Sequence, residues 1–367
     1  MHMEEKYMRR AIELAKKGMG FVNPNPLVGA VIVKDGRIIG EGYHERYGAL
    51  HAERNAIANL CESAEGADIY VTLEPCCHHG KQPPCTEAVL EAGIKNVYVG
   101  SYDPNPLVSG KGFEFLRSHG VNVTENVLRD ECDALNDIFF HYITTQTPYV
   151  IMKAAMSIDG RTAAFTGDSK WISSELSRAD VHQTRKRCAA IMVGINTVFA
   201  DDPMLDCRCD DPSNPVRVIC DSRLRIPMNS QIIKTARDIP TIIATVSDDT
   251  EKAEALKAAG AEIIVTDGAH VNLTALMAEL GKRKIDSVLV EGGAELHASM
   301  LESGLVNELH IYIAPKIIGG VNAKPVVGGR GVELVRDAYM FGAPEIERFG
   351  DDIKVVYRRV EDVHGNN

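Results

Sequence analysis

The sequence predicts an α/β protein of two domains. Short apolar runs of strand length alternate with helix-like segments along both halves of the chain. The alternation lapses at residues 141–148, where the sequence HYITTQTP is polar and ends in a proline. At 367 residues the chain is also long for one domain. We therefore expect one domain over residues 1–145 and a second over residues 146–367.

The first half carries helix and hairpin signals in a definite order. Apolar residues at helical spacing predict a helix over residues 8–17. Residues 28–33 and 38–42 flank the turn sequence KDGR, which indicates a β-hairpin. Further helices are expected at 51–60 and 86–92, and further strands at 67–73 and 96–100. Strands that alternate with helices in this way predict a three-layer α/β sandwich.

The second half repeats the alternation with different spacing. Its apolar runs predict strands at residues 149–153, 189–193, 216–220, 241–245, 262–265, 287–290 and 308–314. Residues 201–215 are rich in Asp, Cys and Pro and are expected to form a long loop. In that loop Cys207 and Cys209 flank an arginine, and we expect solvent-exposed thiols there rather than a second metal site.

Composition narrows the classes of function. Lys and Arg number 40 against 51 Asp and Glu, a formal net charge of −11, which suits a nucleic-acid backbone poorly. The first residues are amphipathic and charged, and no stretch has the roughly 20 apolar residues of a membrane span. Nine cysteines favour metal binding or free thiols over disulfides. We expect a cytoplasmic protein that binds neither nucleic acid nor membrane.

The first half contains the residues of a catalytic zinc site. His51 and Glu53 form the sequence HAE, Cys76 follows a proline, and Cys85 lies nine positions further on. One imidazole and two thiolates supply three zinc ligands and leave a tetrahedral position for water. Glu53 is placed to move protons without being a ligand, as in the zinc deaminase signature. Cys85 precedes a predicted helix, whose N-terminus favours a thiolate.

The spacing of the two cysteines leaves alternatives open. Eight residues, CHHGKQPP, separate Cys76 from Cys85 where the deaminase signature has two. This insertion offers Cys77, His78 and His79 as rival ligands. A structural zinc site is the other alternative, although closed sites normally have four ligands and Glu53 argues against it.

Motifs along nearly the whole chain resemble those of the bifunctional deaminase–reductases of riboflavin biosynthesis. They include NPNPLVGAVIV, VTLEPCCHHGKQPPC, KAAMSIDGRTA, VGINTVFADDPMLDCR and VEGGAELHASML. The resemblance implies a cytidine-deaminase-like α/β/α sandwich followed by a dihydrofolate-reductase-like α/β domain. The long insertion between the cysteines belongs to the family's pattern.

The resemblance also implies two consecutive reactions and two cofactors. One zinc ion per chain would serve hydrolytic deamination of a diaminopyrimidine that carries a phosphoribosylamino group. NADPH would then reduce the ribosyl group of the aminouracil product to ribityl. The small-molecule partners would be pyrimidine phosphoribosides, and the deaminase residues expected to contact them are Asn25, His44, Lys81, Asp103 and Asn105.

In the second half, the best phosphate site read from the residues alone is the sequence EGGA at 291–294. Paired glycines after a strand let the backbone approach an anion, and the helix that follows supplies free N–H donors. No Gly-x-Gly-x-x-Gly follows the first strand of this half, so a Rossmann fold is not predicted.

The resemblance assigns the remaining reductase residues. Those expected to contact NADPH are Ala155, Trp171, Thr197, Asp201, Ser222, Gly293, Ala294, Glu295, Leu296, His297, Ala298 and Ser299. Those expected to contact the substrate are Ser169, Arg185, Leu205, Arg208 and Glu291. The two arginines suit a sugar phosphate because guanidinium groups bind phosphate oxygens in pairs.

Two other classes of function compete with this interpretation. A nucleic-acid base deaminase would need a basic track, which the net charge disfavours. A non-catalytic zinc-stabilised module would not need Glu53. We also expect a homo-oligomer, a dimer or a tetramer, since most such enzymes form closed symmetric assemblies.

Overall fold

The computed structural model describes residues 3–78, 83–105 and 108–359. The chain forms two compact units, residues 1–146 and 147–367. The stretch at 141–148 is not the irregular linker that its polar composition suggests, because Asp137–Thr145 is helical and ends at Gln146 in a left-handed conformation. No helix among the described residues is long and apolar enough to span a membrane.

The first unit is built around one five-stranded sheet. Its elements, in chain order, are α1 (Met3–Lys16), β1 (Gly29–Lys34), β2 (Arg37–Tyr43), α2 (Ala52–Ala58), β3 (Asp68–Leu73), α3 (Cys85–Glu91), β4 (Asn96–Ser101), α4 (Lys111–Ser118), β5 (Asn122–Thr124), α5 (Arg129–Asp133) and α6 (Asp137–Thr145). The strand order is β2-β1-β3-β4-β5, with β1 antiparallel to both neighbours and β3, β4 and β5 parallel.

Strand β1 shows why this unit has three layers. Its side chains alternate between two faces, and both faces are buried. Ala30 and Ile32 join a core completed by α2, α3 and α4, whereas Val31 and Val33 join a separate core under α1. The predicted sandwich is therefore confirmed.

Helix α2 lies unusually close to the sheet. A Cβ atom added to Gly42 of β2 would come within 2.2 Å of the Ala56 backbone nitrogen and 2.6 Å of the Ala52 carbonyl oxygen. Only a glycine permits this approach of helix to strand. The packing fixes the position of the helix that carries Glu53.

The second unit is built around a nine-stranded sheet. Its elements are β6 (Tyr149–Ser157), β7 (Arg161–Ala163), α7 (Glu175–Arg187), β8 (Ala190–Gly194), α8 (Ile195–Asp201), β9 (Val216–Cys220), α9 (Gln231–Lys234), β10 (Thr241–Thr245), α10 (Thr250–Ala258), β11 (Glu262–Val265), α11 (Leu273–Lys282), β12 (Ser287–Val290), α12 (Ala294–Glu302), β13 (Glu308–Ala314), β14 (Lys324–Pro325), a 3₁₀ turn (Val335–Asp337), β15 (Glu345–Phe349) and β16 (Asp352–Arg358).

The order in this sheet places four strand ends side by side. The order is β11-β10-β9-β8-β12-β6-β13-β16-β15, and every pair from β11 to β13 is parallel. The carboxyl ends of β9, β8, β12 and β6 are consequently neighbours at one edge. Ligands of open α/β sheets bind at that edge.

Candidate active sites

Three side chains of the first unit converge at the ends of two helices. His51 immediately precedes α2, Cys76 follows β3, and Cys85 is the first residue of α3. The His51 Nδ1 atom lies 3.5 Å from the Cys76 sulfur and 3.4 Å from the Cys85 sulfur. Zinc bonds of about 2.0 Å to nitrogen and 2.3 Å to sulfur, at a tetrahedral angle, separate such ligands by about 3.5 Å. The donor set and its spacing fit zinc.

The rival ligands do not complete this group. Across the described ranges 3–78, 83–105 and 108–359, His51, Cys76 and Cys85 form the one cluster of histidine, cysteine or carboxylate groups suited to a shared metal ion. Cys77 and His78 are half-buried beside it and do not belong to it. His79 lies outside the described residues.

The N-terminus of α3 also acts on a thiol other than the one we expected. The Cys85 backbone N–H donates to the Cys76 sulfur at 3.4 Å. Hydrogen bonds from the Cys85 thiol and from His51 also favour the Cys76 thiolate, and they lower the pKa of Cys76 to about 4 although burial opposes them. The same contact with Cys76 raises the pKa of Cys85. The N-terminal N–H of α3 therefore contacts the Cys76 sulfur directly, in addition to the Cys85 thiol that the sequence places at the helix end.

Glu53 is buried next to the three ligands without joining them. Only 4% of its surface is exposed, and it occupies the second position of α2. Burial raises the pKa of Glu53, and the neighbouring Cys76 raises it further. A carboxyl group in such a setting can both accept and return a proton.

Backbone contacts fix the segment that leads into Cys85. The Arg54 guanidinium donates to the carbonyl oxygens of Pro83 and Pro84 at 3.0 and 2.7 Å. The Thr86 backbone N–H and hydroxyl both donate to the Cys76 carbonyl, at 3.2 and 3.3 Å. Arg54 was not predicted from the sequence, where its position directly after HAE was the available signal.

Two of the expected pyrimidine contacts lie beside the ligands. The His44 ring meets the His51 ring edge to face at 5.5 Å, and its Nε2 is 3.0 Å from the Asn25 amide nitrogen. The other nitrogen, Nδ1, is 2.9 Å from the Leu50 carbonyl oxygen. Burial lowers the pKa of His44. A neutral ring that donates from Nδ1 and accepts at Nε2 satisfies both partners.

A second buried carboxylate shapes the next loop. Asp103 is 6% exposed and accepts from the Asn105 backbone N–H at 2.8 Å, and burial raises its pKa to about 6. Glu74, which was not predicted from the sequence, is also buried and accepts from the N–H groups of Gly110 and Gly112 at 3.0 and 3.1 Å. Asp103 and Asn105 thus form a turn that follows β4. Lys81 lies outside the described residues.

In the second unit, the glycine pair forms the expected turn between β12 and α12. Gly292 has a φ of +116°, which favours glycine, and Gly293 directly precedes the helix. The Gly293 N–H donates to the Thr197 hydroxyl at 3.2 Å, so the turn meets the start of α8. Ala155 lies in β6, and Ser222 follows β9. These residues share the sheet edge formed by the four neighbouring strand ends.

Most side chains of α12 that were expected to contact NADPH are buried or hydrogen-bonded to other parts of the second unit. Leu296, His297 and Ala298 are buried, and the His297 Nδ1 lies 2.9 Å from the Val326 carbonyl oxygen. Glu295 accepts from the Gly329 N–H at 3.5 Å. A phosphate at residues 293–299 would therefore bind chiefly to the free backbone N–H groups of the first turn of α12.

Two further residues of the NADPH set lie at the surface. Trp171 is 62% exposed, and the Arg178 guanidinium lies 4.3 Å from the centre of its ring. Asp201 ends α8 and pairs with Lys170 at 3.8 Å. Ser169, from the substrate set, is half-buried between β7 and α7.

An ion-pair network surrounds Glu291. Arg185 binds its two carboxylate oxygens through Nε and Nη2 at 2.7 and 2.9 Å, and the Lys153 amine is 3.2 Å away. Burial opposes ionisation, yet Arg185 and Lys153 hold the pKa of Glu291 well below its usual range. Lys153 was missed, although a lysine inside a buried strand is itself a signal of function.

The loop after α8 brings two more expected residues to this network. The third nitrogen of Arg185, Nη1, donates to the Asp206 carbonyl at 2.8 Å. Leu205 is buried with a φ of +53°. Arg208 has 68% of its side chain exposed and pairs with Asp206 at 3.3 Å. Arg208 is therefore freer than Arg185 to bind a phosphate group.

Comparisons with known proteins match each half of the chain to a protein family. The cytidine and deoxycytidylate deaminase zinc-binding region matches residues 1–101, and the RibD C-terminal domain matches residues 148–355. A riboflavin biosynthesis protein RibD from Actinobacillus pleuropneumoniae is 53% identical over 96% of this chain and 94% of its own length. The Escherichia coli K12 protein of that name is 39% identical over 95% and 98%. A crystal structure of the Thermotoga maritima diaminohydroxyphosphoribosylaminopyrimidine deaminase/5-amino-6-(5-phosphoribosylamino)uracil reductase superposes with a TM-score of 0.89, at 40% identity over 98% and 99% of the two chains.

Proposed function

The chain belongs to the RibD family of riboflavin biosynthesis proteins, and from this premise we propose how its two units divide the work. It is a bifunctional enzyme, a zinc-dependent deaminase and an NADPH-dependent reductase. Residues 1–145 deaminate the diaminopyrimidine phosphoriboside, and residues 146–367 reduce the ribosyl group of the resulting aminouracil to ribityl. The observation that carries the proposal is the His51, Cys76 and Cys85 cluster with Glu53 beside it.

In the deaminase unit, His51, Cys76 and Cys85 hold the metal and Glu53 moves the protons. Zinc at such a site supplies a nucleophilic water at neutral pH. Glu53 takes the proton that the water loses as it attacks the amidine-like ring carbon. The same carboxyl group then returns that proton to the departing amine, which leaves as ammonia. Asn25, His44, Lys81, Asp103 and Asn105 orient the pyrimidine and its phosphoribosyl group.

Metal analysis tests the ligand set. We expect about one zinc ion per purified chain. The Cys85→Ser variant should lose its zinc, because the two ligands that remain hold zinc poorly. Cys77→Ser is the matched control, because it removes a thiol from the same loop outside the cluster. Zinc that persists in Cys85→Ser and disappears from Cys77→Ser would refute the assignment.

In the reductase unit, the turn at Gly293 and the first turn of α12 hold the phosphates of NADPH. Ala155, Trp171, Thr197, Asp201 and Ser222 contact the rest of the dinucleotide along the same sheet edge. Hydride transfer needs the nicotinamide and the ribosyl C1′ to be held face to face, so positioning is the protein's main contribution. Ser169, Leu205, Arg208 and the Arg185–Glu291 pair position the substrate.

A kinetic assay tests whether Arg208 binds the substrate phosphate. Arg208→Ala should raise the reductase KM for the aminouracil substrate roughly tenfold with little change in kcat, because it removes a charged hydrogen bond to phosphate. Lys257→Ala is the control, since Lys257 is an exposed cation that pairs only locally with Glu254 at 2.9 Å. An unchanged KM in Arg208→Ala would remove this residue from the site.

A homo-oligomer, a dimer or a tetramer, is proposed for the assembly. Its support is a set of exposed apolar side chains after β13 that a monomer would leave in water: Ile317, Val321, Val335 and Met340. Light scattering on the eluting protein tests this, and a monomer mass at micromolar concentration would contradict it. A cytoplasmic location is proposed because all nine cysteines are free thiols, which a reducing compartment preserves.

A further inference from the structure

Two sulfur atoms lie side by side in the loop between α8 and β9. The Cys207 and Cys209 sulfurs are 3.3 Å apart, and no disulfide joins them. Cys207 is 5% exposed, so the expectation of two solvent-exposed thiols is wrong for this residue. Cys209 is half-exposed. A bond length of about 2.05 Å could be reached by a small movement of the more exposed side chain.

We propose that Cys207 and Cys209 form an oxidisable dithiol, and that its disulfide, made by a hydroperoxide, weakens substrate binding in the reductase unit. The effect on substrate rests on the role proposed above for Arg208, which lies between the two cysteines. Formation of the disulfide does not depend on that role.

The exposure of the two sulfurs sets the order of the chemical steps. Cys209 is the sulfur that solvent reaches, so its thiolate attacks the peroxide and becomes a sulfenic acid as the O–O bond breaks. The Cys207 sulfur then attacks the Cys209 sulfur, and the sulfenic oxygen leaves as water with the Cys207 proton. Two thiols and one hydrogen peroxide thus give one disulfide and two waters. Burial raises the pKa of Cys207 to about 11, which disfavours Cys207 as the thiol that reacts first with peroxide.

Oxidation changes contacts on both sides of Arg208. The Cys207 thiol donates to the His182 carbonyl at 3.3 Å, and this hydrogen bond is lost when the thiol loses its proton. The disulfide also closes a ring through the Arg208 backbone. Before oxidation, the Arg208 N–H donates to the His182 Nδ1 at 3.1 Å. Two residues before Arg208, the Asp206 carbonyl accepts a hydrogen bond from Arg185. The loop is therefore tied to the Glu291 network, and its movement displaces groups that position the substrate.

The experiment uses the full-length protein, reduced and then treated with hydrogen peroxide in slight excess. Alkylation followed by peptide mass spectrometry maps the cysteines, and the reductase KM is measured with the aminouracil phosphoriboside supplied directly, so that damage to the zinc thiols has no effect. We expect a 207–209 disulfide and a KM increase of roughly fivefold, about the loss of one substrate hydrogen bond. Dithiothreitol should reverse both.

Variants separate this proposal from the one on which it rests. Cys209→Ser should keep the untreated KM and lose the response to peroxide, whereas Cys61→Ser, which removes an exposed thiol of the first unit, should respond like the unmodified chain. Two results would contradict disulfide formation between Cys207 and Cys209. One is that both thiols still react with the alkylating reagent after peroxide treatment, and the other is that Cys209 is oxidised to sulfinic acid without pairing. A mapped disulfide with unchanged KM would overturn the regulatory effect if Arg208→Ala does raise the KM. If Arg208→Ala is itself silent, the failure lies in the proposed substrate role of Arg208, and the mapped disulfide still supports the dithiol.

Discussion

Glu53→Gln should lower kcat for ammonia release by roughly 10²- to 10⁴-fold, the usual contribution of a general acid–base residue. The amide keeps the size of the carboxyl group but cannot take a proton from water and return it to the amine. Glu53 is buried within the deaminase unit and is not one of the three grouped ligands, so the variant should keep its zinc. Ammonia release with the diaminopyrimidine phosphoriboside and zinc content are measured on the same preparation.

Two comparisons make this result specific. Glu91→Gln changes an exposed carboxylate at the end of α3 and should deaminate normally. NADPH oxidation with the aminouracil supplied directly should be unchanged in Glu53→Gln, because that step belongs to the other unit. Normal ammonia release by Glu53→Gln with zinc in place would disprove the mechanism, and loss of zinc would show that Glu53 is needed to form the site.

The zinc site was predictable because its chemistry restricts the residue types. Few side chains can bind zinc, and the sequence places one histidine and two cysteines next to a glutamate that is not a ligand. The sequence could not show that the α3 N-terminus would favour the Cys76 thiolate, because that depends on where Cys76 lies in space. Glu74 and Arg54 were missed for the same reason, since both act through backbone groups distant in sequence.

Most strands of the second half were predictable because burial made their sequences apolar. Each apolar run predicted in the second half became one of the strands β6 and β8–β13, whereas β7, β14, β15 and β16 were missed. Strand β15 lies at the edge of the sheet with almost all of its side chains exposed, so its sequence EIERF carries no apolar run. Single charged residues inside buried strands were a sequence signal for the second site that the prediction did not use. Lys153 reaches Glu291, and Arg217 is fully buried and donates to the Met204 carbonyl at 3.2 Å next to Leu205.

Gly42→Ala should remove zinc from the protein and destabilise the first unit by roughly 1–3 kcal/mol or more, the cost of overpacking a tight contact. The new methyl group would lie 2.2 Å from the Ala56 nitrogen, and the obstacle is helix backbone, which has no rotamer to change. Helix α2 must therefore move away from β2 by about 1 Å to restore van der Waals contact. His51 and Glu53 would move with it, whereas Cys76 and Cys85 belong to other elements.

A shift of that size exceeds what a zinc site tolerates, since ligand distances must hold to within about 0.2 Å. Zinc retention against a chelator and the unfolding temperature of the first unit are the measurements. Gly36→Ala is the matched control at the other end of β2, because Gly36 has a φ of +73° but open space around its Cβ position. That variant should cost about 1 kcal/mol through backbone strain and keep its zinc. If Gly42→Ala retains zinc as well as Gly36→Ala does, close packing of α2 on β2 is not what positions the metal ligands.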